Sequence, residues 1–385
     1  MTQNLENRGF REFRVAKKHV ESEIITSFYL EPSDGAPVWQ VKAGQYITIT
    51  VPSADDTVLK TYSVSSDPTQ TSFYRISVKR EAGQNGTPDG VGSCWLHNHV
   101  EIGDVIDVAA PRGTFYLDEE STRPVVLLSG GVGQTPMVSM IHRLRESDRD
   151  VYFLHACENG QVHALRDEVL GCSSDRITTK FVYRTPSADD RAANLFDAQG
   201  VIDKVFLQRI LPIDDYEVYL CGPTPFMAAM YQLLQEVGVQ KARIAYEFFG
   251  KAASLDVQVA KPQAGKAASR APAIVQSLTY LTNPDAWSSA DEVAQQSSFA
   301  LQGDVSFRKS KTSAAWDGAV DSLLELAENA GLNPEFSCRS GICNACKCTL
   351  VSGEVEYFQD PLIHPEEGQV LICCSRPKGA VVLDI

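Results

Sequence analysis

Ten cysteines lie at Cys94, Cys157, Cys172, Cys221, Cys338, Cys343, Cys346, Cys348, Cys373 and Cys374, and six of them fall in the last 48 residues. Three have a telling spacing, Cys338-Arg-Ser-Gly-Ile-Cys343-Asn-Ala-Cys346, and a fourth follows at Cys373. A C-x4-C-x2-C run with a distant fourth cysteine suits a 2Fe–2S cluster. Two irons need four thiolates, and three of these come from one loop that wraps closely around the inorganic core. Ser340, Gly341 and Ala345 are small, so backbone N–H groups can approach the sulfurs. A zinc site prefers short paired spacings such as C-x2-C twice and fits less well. Reduced structural cysteines are the other alternative. Cys348, two residues past a ligand, and Cys374, which on a strand points away from Cys373, read as packing residues.

Five further stretches carry residues that could hold a phosphorylated cofactor. Lys60-Thr61-Tyr62-Ser63 offers a cation, an aromatic ring and hydroxyls; its plain alternative is an ordinary Tyr on a strand. Gly90-Val-Gly92-Ser93 precedes Trp95-Leu-His97, where a helix start would present free N–H groups to an anion. Gly130-Gly131-Val132-Gly133-Gln134-Thr135-Pro136 directly follows an apolar run. Its glycines permit close approach of a phosphate, Thr135 can cap a helix and Pro136 suits a first helical turn. Cys221-Gly222-Pro223 ends another strand, and Tyr246-Glu247-Phe248-Phe249-Gly250 follows later. A simple turn and a core aromatic are the plain readings of these last two.

The elements that must position these residues change rhythm along the chain. From about Phe10 to Leu117 the pattern is of short, partly alternating strands, such as Ile24–Leu30, Tyr46–Val51, Tyr62–Ser65, Phe73–Lys79 and Val105–Val108. Turn residues separate them, which predicts a small antiparallel β-barrel. From about Arg123 strands and helices alternate: Pro124–Ser129, helix Met137–Arg145, Val151–Ala156, Thr179–Tyr183, Glu217–Leu220, helix Phe226–Val237 and Arg243–Glu247. That alternation predicts an α/β, doubly wound parallel sheet. Residues 251–298 lack periodicity and read as a linker. From Phe299 a third unit follows, with a strand at Asp304–Phe307, an amphipathic helix Ala319–Ala330 ended by Gly331, and strands at Lys347–Val351, Val370–Cys373 and Val381–Asp384. The expected division is 1–118, 119–250, 251–298 and 299–385.

Composition narrows the function class. The 385 residues carry a net charge of 35 − 49 = −14, which argues against a nucleic-acid partner and fits docking onto a basic protein. No run of about 20 apolar residues is present, so no transmembrane helix is expected. Met1–Arg14 is polar, without the apolar core of a secretion signal, and the expected location is the cytoplasm.

Residues from about 299 to 385 resemble a plant-type ferredoxin, an α+β β-grasp domain. Gly368-Gln-Val-Leu-Ile-Cys373 is similar to that family's last ligand strand, which selects Cys373 over Cys374. Lys60-Thr-Tyr-Ser63 resembles the Arg-x-Tyr-Ser pattern of the ferredoxin–NADP reductase superfamily, with Lys60 where Arg is usual. Residues 10–250 are similar to the reductase unit of flavohaemoglobins, including Val78-Lys-Arg-Glu81, Trp95-Leu-His-Asn98, His155-Ala-Cys-Glu-Asn159 and Tyr183-Arg-Thr-Pro186. The resemblance implies that Tyr46, Lys60, Thr61, Tyr62, Ser63, Gly92 and Ser93 hold a flavin. It further implies that residues 131–136 with Gly222 and Pro223 hold a nicotinamide nucleotide. Cys221 then lies near the nicotinamide, Phe249 covers the flavin and Glu247 lies nearby. Lys251 stands where that family has Pro.

The implied activity is an NAD(P)H-dependent reductase carrying FAD, a 2Fe–2S cluster and NADH or NADPH. FMN is the less favoured flavin, used by phthalate-dioxygenase-type reductases of the same domain order. NADH is slightly preferred, because only Arg184 and Arg191 stand where an adenosine phosphate could lie. The expected partner is a terminal oxygenase of the Rieske type. The alternatives are another redox protein, such as a hybrid-cluster protein, or a non-catalytic binding module with structural zinc. The resemblance covers no globin, so nitric-oxide dioxygenation is not implied.

Overall fold

The computed structural model describes residues 9–52, 57–83, 89–249, 304–318, 320–336, 341, 344–362 and 364–385. The 251–298 linker, Cys338 and Cys343 lie outside the described residues.

Six antiparallel strands form the first unit: β1 (Phe10–Val20), β2 (Ile25–Pro32), β3 (Tyr46–Pro52), β4 (Thr57–Ser63), β5 (Tyr74–Lys79) and β6 (Val105–Arg112), with helix α1 (Val91–His99) between β5 and β6. Their order is β4-β3-β6-β1-β2-β5. The two edges meet through a bridge between Val64 and Ile76 and the hydrogen bond from Ser65 N to Arg75 O, 2.8 Å, which closes the barrel. The interior is filled by Phe13, Val15, Phe28, Leu30, Ile47, Ile49 and Ile76, all fully buried. Each such side chain contributes roughly 1.5–3 kcal/mol, against about 1 kcal/mol net for a hydrogen bond. Packing, more than the closing bridge, therefore holds the barrel shut.

The second unit is wholly parallel, in the order β10-β9-β8-β7-β11-β12. Its strands are β7 (Val125–Gly130), β8 (Val151–Cys157), β9 (Ile177–Tyr183), β10 (Ala198–Gln199), β11 (Glu217–Cys221) and β12 (Ile244–Glu247). Its helices are α2 (Gln134–Leu144), α3 (Arg166–Leu170), α4 (Ala188–Ala192), α5 (Lys204–Ile210) and α6 (Thr224–Glu236). All of β7 is buried because both faces are covered. Val125 and Leu127 pack with Met137 and Ile141 of α2, while Val126 and Leu128 pack with Phe206 and Met227 of α5 and α6. Strand order reverses between β7 and β11, so the carboxyl ends of these two strands open the crevice where ligands bind in such sheets.

The third unit is a sheet ordered β14-β13-β19-β15-β17: β13 (Asp304–Phe307), β14 (Thr312–Ala315), β15 (Lys347–Ser352), β17 (Gln369–Leu371) and β19 (Val381–Leu383). Helix α7 (Leu323–Asn329) covers it, and β16 (Val355–Tyr357) pairs with β18 (Ser375–Pro377) beside it. The helix starts later than the expected Ala319–Ala330, because the Ser322 hydroxyl accepts from Glu325 N at 3.2 Å and fixes the first turn there. Gly331 follows its end at φ +79°. Val370–Cys373 is not one strand: β17 stops at Leu371 and Ile372–Cys374 is a 3-10 turn, so the strand alternation invoked for Cys373 and Cys374 does not apply. Arg112 Nη1 donates to Asp360 O at 2.9 Å, and Leu362 packs with Tyr46 and Leu59, so this unit touches the barrel.

Candidate active site

Two cavities meet where the barrel faces the carboxyl edge of the parallel sheet. The first is walled by Tyr46, Thr61, Tyr62, Ser63, Ser77 and Ser93 of the barrel. Val132, Thr135, Glu247 and Phe249 complete it from the other unit. The second is an open cleft over the β7 and β11 ends, lined by Gly130, Gly131, Val132, Gly222, Pro223 and Phe226. Phe249, 42% exposed, lies between the two and lines both.

The first cavity has features of a site made for a polar occupant. Ser63 Oγ is buried in its wall with no hydrogen-bond partner among the described residues, and so is Glu247 Oε2. Burial raises the Glu247 carboxyl to a pKa of about 8. Gly92, at the start of α1, carries no side chain where one would collide: a Cβ there would lie 2.6 Å from both Lys60 Cγ and Tyr62 Oη. Lys60 lays its stem along that helix start without lining either cavity. Burial drives the Tyr62 hydroxyl well above its ordinary range, so it stays protonated and can donate.

The glycine turn is divided between ligand face and packing. Gly131 takes φ +53° and is open to the cleft. Gly133 is packed instead: a Cβ would lie 2.3 Å from Cys221 O, so only glycine lets the β7 turn pass the β11 turn. Gln134 is buried and its Nε2 donates to Ala164 O at 2.8 Å; Pro136 is buried within α2. Thr135 does not cap. The helix begins one residue earlier, at Gln134, and the Thr135 hydroxyl donates back to Val132 O at 3.1 Å. Cys221 is fully buried, paired in register with Glu247 across β11 and β12, and lines neither cavity. Burial, with the neighbouring Glu247 charge, pushes its thiol well up.

Cys346 and Cys373 are both buried, and Gly341 N donates to Cys373 Sγ at 3.4 Å. Gly341 needs its φ of +70°, and a Cβ there would meet Cys374 Sγ at 2.8 Å. Cys374 instead points its thiol at Leu371 O, 3.6 Å away. Burial pushes the Cys348 thiol up to about 12. A buried sulfur receiving a backbone N–H, as at Cys373, suits a cluster. Sequence reasoning assigned no role to Ser77, Lys79, Glu81 or Glu158, which line the cavities; Val78-Lys-Arg-Glu81 was visible as a motif, but nothing in it showed which side chains turn inward.

Three family models match in the same order. The oxidoreductase FAD-binding domain covers residues 12–116, the oxidoreductase NAD-binding domain 127–232, and the 2Fe-2S iron-sulfur cluster binding domain 309–378. The flavohem-like FAD/NAD-binding domain of nitric oxide dioxygenase from Vibrio cholerae is 40% identical, with a TM-score of 0.56, over 62% of this chain and 98% of that one. The chain belongs to the ferredoxin–NADP reductase superfamily. The superfamily's phthalate dioxygenase reductase, described as a modular structure for electron transfer from pyridine nucleotides to 2Fe–2S, is 25% identical over 100% of both chains, TM-score 0.56. A flavohemoprotein from Bacillus thuringiensis subsp. konkukian is 44% identical over 254 residues, 64% of this chain. The chain spans 63% of that relative's length. The chain is an NAD(P)H oxidoreductase with FAD-, NAD- and 2Fe–2S-binding domains. The cluster-binding match spans the cysteine loop and decides for iron and sulfide against zinc. No helix among the described residues is long and apolar enough to cross a membrane.

Proposed function

We propose that this chain is the reductase component of an oxygenase system, taking electrons from NADH and delivering them to a separate Rieske-type oxygenase. The observation that carries the reading is Phe249, which stands between a cavity walled by barrel hydroxyls and an open glycine-edged cleft in a chain that also holds the cluster motif. The likeness to phthalate dioxygenase reductase over the whole of both chains supports the choice of partner. We assign 1–118 to the flavin, 119–250 to the nucleotide and 299–385 to the cluster, with 251–298 as linker.

Tyr46, Thr61, Tyr62, Ser63 and Ser93 would hold FAD, with Lys60 and the Gly92 helix start toward its phosphates. When bound, the flavin converts two-electron hydride chemistry into single-electron transfer. Gly131, Val132, Gly222 and Pro223 would seat the nucleotide. Gly133, Gln134, Thr135 and Pro136 fix the turn, and Phe249 closes the flavin cavity until the nicotinamide enters. Near neutral pH Glu247 keeps a proton on its carboxyl, available to a group gaining negative charge in the cavity. Cys221 holds the β11 turn in place beside it. Cys338, Cys343, Cys346 and Cys373 would ligate the cluster. Glu158, which accepts from the Thr185 hydroxyl, puts an acidic side chain in the wall of the cleft, while Arg191 is committed to Gln199 Oε1 and Pro186 O; both favour NADH over a 2′-phosphorylated cofactor.

The test is anaerobic mixing of catalytic amounts of the protein and NADH with purified Rieske oxygenases, following bleaching of the Rieske centre. Rapid reduction of at least one, slower with NADPH, is expected. Ferricyanide reduction with no transfer to any Rieske protein would remove the oxygenase from the account.

A further inference from the structure

Arg75 belongs to barrel strand β5, yet its guanidinium, 6% exposed, reaches into the nucleotide unit. Nη1 donates to Glu168 Oε2 at 2.6 Å and Nη2 to Glu168 Oε1 at 2.8 Å, a bidentate grip on α3. His142 Nε2 of α2 lies 2.6 Å from the same Oε1. On its other edge Arg75 Nε donates to Ser65 Oγ at 3.1 Å, and Nη2 also reaches Ser65 O. Ser65 Oγ is 2.8 Å from Ser77 Oγ, which is 2.7 Å from Ser27 Oγ, and Ser77 lines the first cavity. An unbroken series of hydrogen bonds thus runs from two helices of the nucleotide unit to the cavity wall.

Around this network the interface is apolar: Ile25, Ala43, Phe115 and Leu117 of the first unit share a core with Met137 and Met140 of α2. Apolar contact favours association but does not fix an angle. A buried ion pair is in turn weak evidence for stability, since apolar replacements of similar volume are often neutral or better. What a forked guanidinium supplies is geometry, two parallel bonds that hold one orientation. Hydride transfer needs that, because about 1 Å of misplacement costs on the order of 100-fold in rate.

We propose that Arg75 is a positioning residue for hydride delivery, holding the nucleotide unit at one fixed angle to the wall of the flavin cavity. This rests on the reading of the first cavity as the flavin site. The full-length protein carrying Glu168→Gln or Ser65→Ala is compared with wild type in three ways. These are flavin content, amide hydrogen exchange over Arg166–Leu170 and Tyr74–Lys79, and single-turnover flavin reduction by NADH and 4-deuterated NADH.

For Glu168→Gln the expected results are unchanged flavin content, faster exchange in Arg166–Leu170, and reduction slowed at least about tenfold at saturating NADH with the isotope effect retained. Arg75→Lys does not rescue, since an ammonium cannot fork. Ser65→Ala, which spares the ion pair but removes the hydroxyl that joins Arg75 to Ser77, slows reduction about 2- to 10-fold, and decides the matter alone if Glu168→Gln does not fold. Wild-type reduction rates in Ser65→Ala and in any folded Glu168→Gln, whatever their melting temperatures, would overturn the proposal and leave the pair a structural contact. A wild-type protein without flavin would instead overturn the reading of the cavity.

Discussion

The two cavities differ in how their walls are satisfied. The barrel-side cavity keeps Ser63 Oγ and Glu247 Oε2 buried without partners among the described residues, an arrangement costing about 1–3 kcal/mol per group unless an occupant supplies the bond. The sheet-side cleft is edged by glycine backbone at Gly130, Gly131 and Gly222 and by apolar faces such as Phe226 and Met230, and it is open to solvent. The first wall suits a resident cofactor, the second a nucleotide that must enter and leave at every turnover. Phe249 is the partition between them.

The largest effect should come where the β7 turn packs against the β11 turn. Gly133→Ala places a methyl 2.3 Å from Cys221 O and 2.6 Å from Gly222 N, so the two turns must separate. NADH-driven flavin reduction should fall about 100-fold by stopped flow, while the purified protein keeps its yellow colour. Equal loss of flavin would mean the cavities are not independent. Gly92→Ala should do the reverse, since its methyl meets Tyr62 Oη and Lys60. Flavin affinity by fluorescence titration should drop tenfold or more, about 1.4 kcal/mol.

Next in size is a pH effect beneath the cleft. His155 is fully buried, with Nδ1 2.9 Å from Ser129 Oγ, and burial lowers its pKa to about 3 from an ordinary 6.5. The unfolded chain therefore binds the extra proton first. The stability that neutral His155 contributes is fully present above pH 6.5 and is lost as pH falls toward 3, by about 1.4 kcal/mol per pH unit. His163, its neighbour at a ring separation of 4.7 Å, is lowered by the same burial and steepens the slope. Urea unfolding between pH 6.5 and 4.5 should show a shallower slope in His155→Gln than in wild type; parallel slopes would refute the neutral buried imidazole.

Smaller again is Glu247→Gln. In wild type the reduction rate should decline as pH rises through about 8, where the carboxyl loses its proton, and the variant should lose that limb. The smallest effect is expected for Ser63→Ala, a weakening of flavin binding of about 2- to 10-fold.

The apolar run before the glycine turn was legible because β7 is buried on both faces, so its residue types carry no ambiguity. The cluster spacing was legible because four thiolates around two irons leave few arrangements. Strand β1 was not singled out, since Arg11, Glu12, Arg14, Lys17 and Lys18 mask the buried Phe10, Phe13 and Val15. The short helices Ala188–Ala192 and Lys204–Ile210 depend on caps at Ser187 and Asp203 more than on any apolar period. Which residues of 131–136 face a ligand follows from how closely β11 approaches, a contact across about 90 residues that local pattern does not encode. The Arg75–Glu168 grip spans 93 residues and was invisible for the same reason.

The central claim is that electrons leave the flavin through a cluster held by the carboxy-terminal cysteines of the same chain. NADH-dependent reduction of cytochrome c and of ferricyanide by Cys373→Ser, prepared anaerobically beside wild type, tests it most directly. The account predicts that the variant lacks iron, loses cytochrome c reduction and keeps ferricyanide reduction. Iron-free protein that still reduces cytochrome c at the wild-type rate would contradict it.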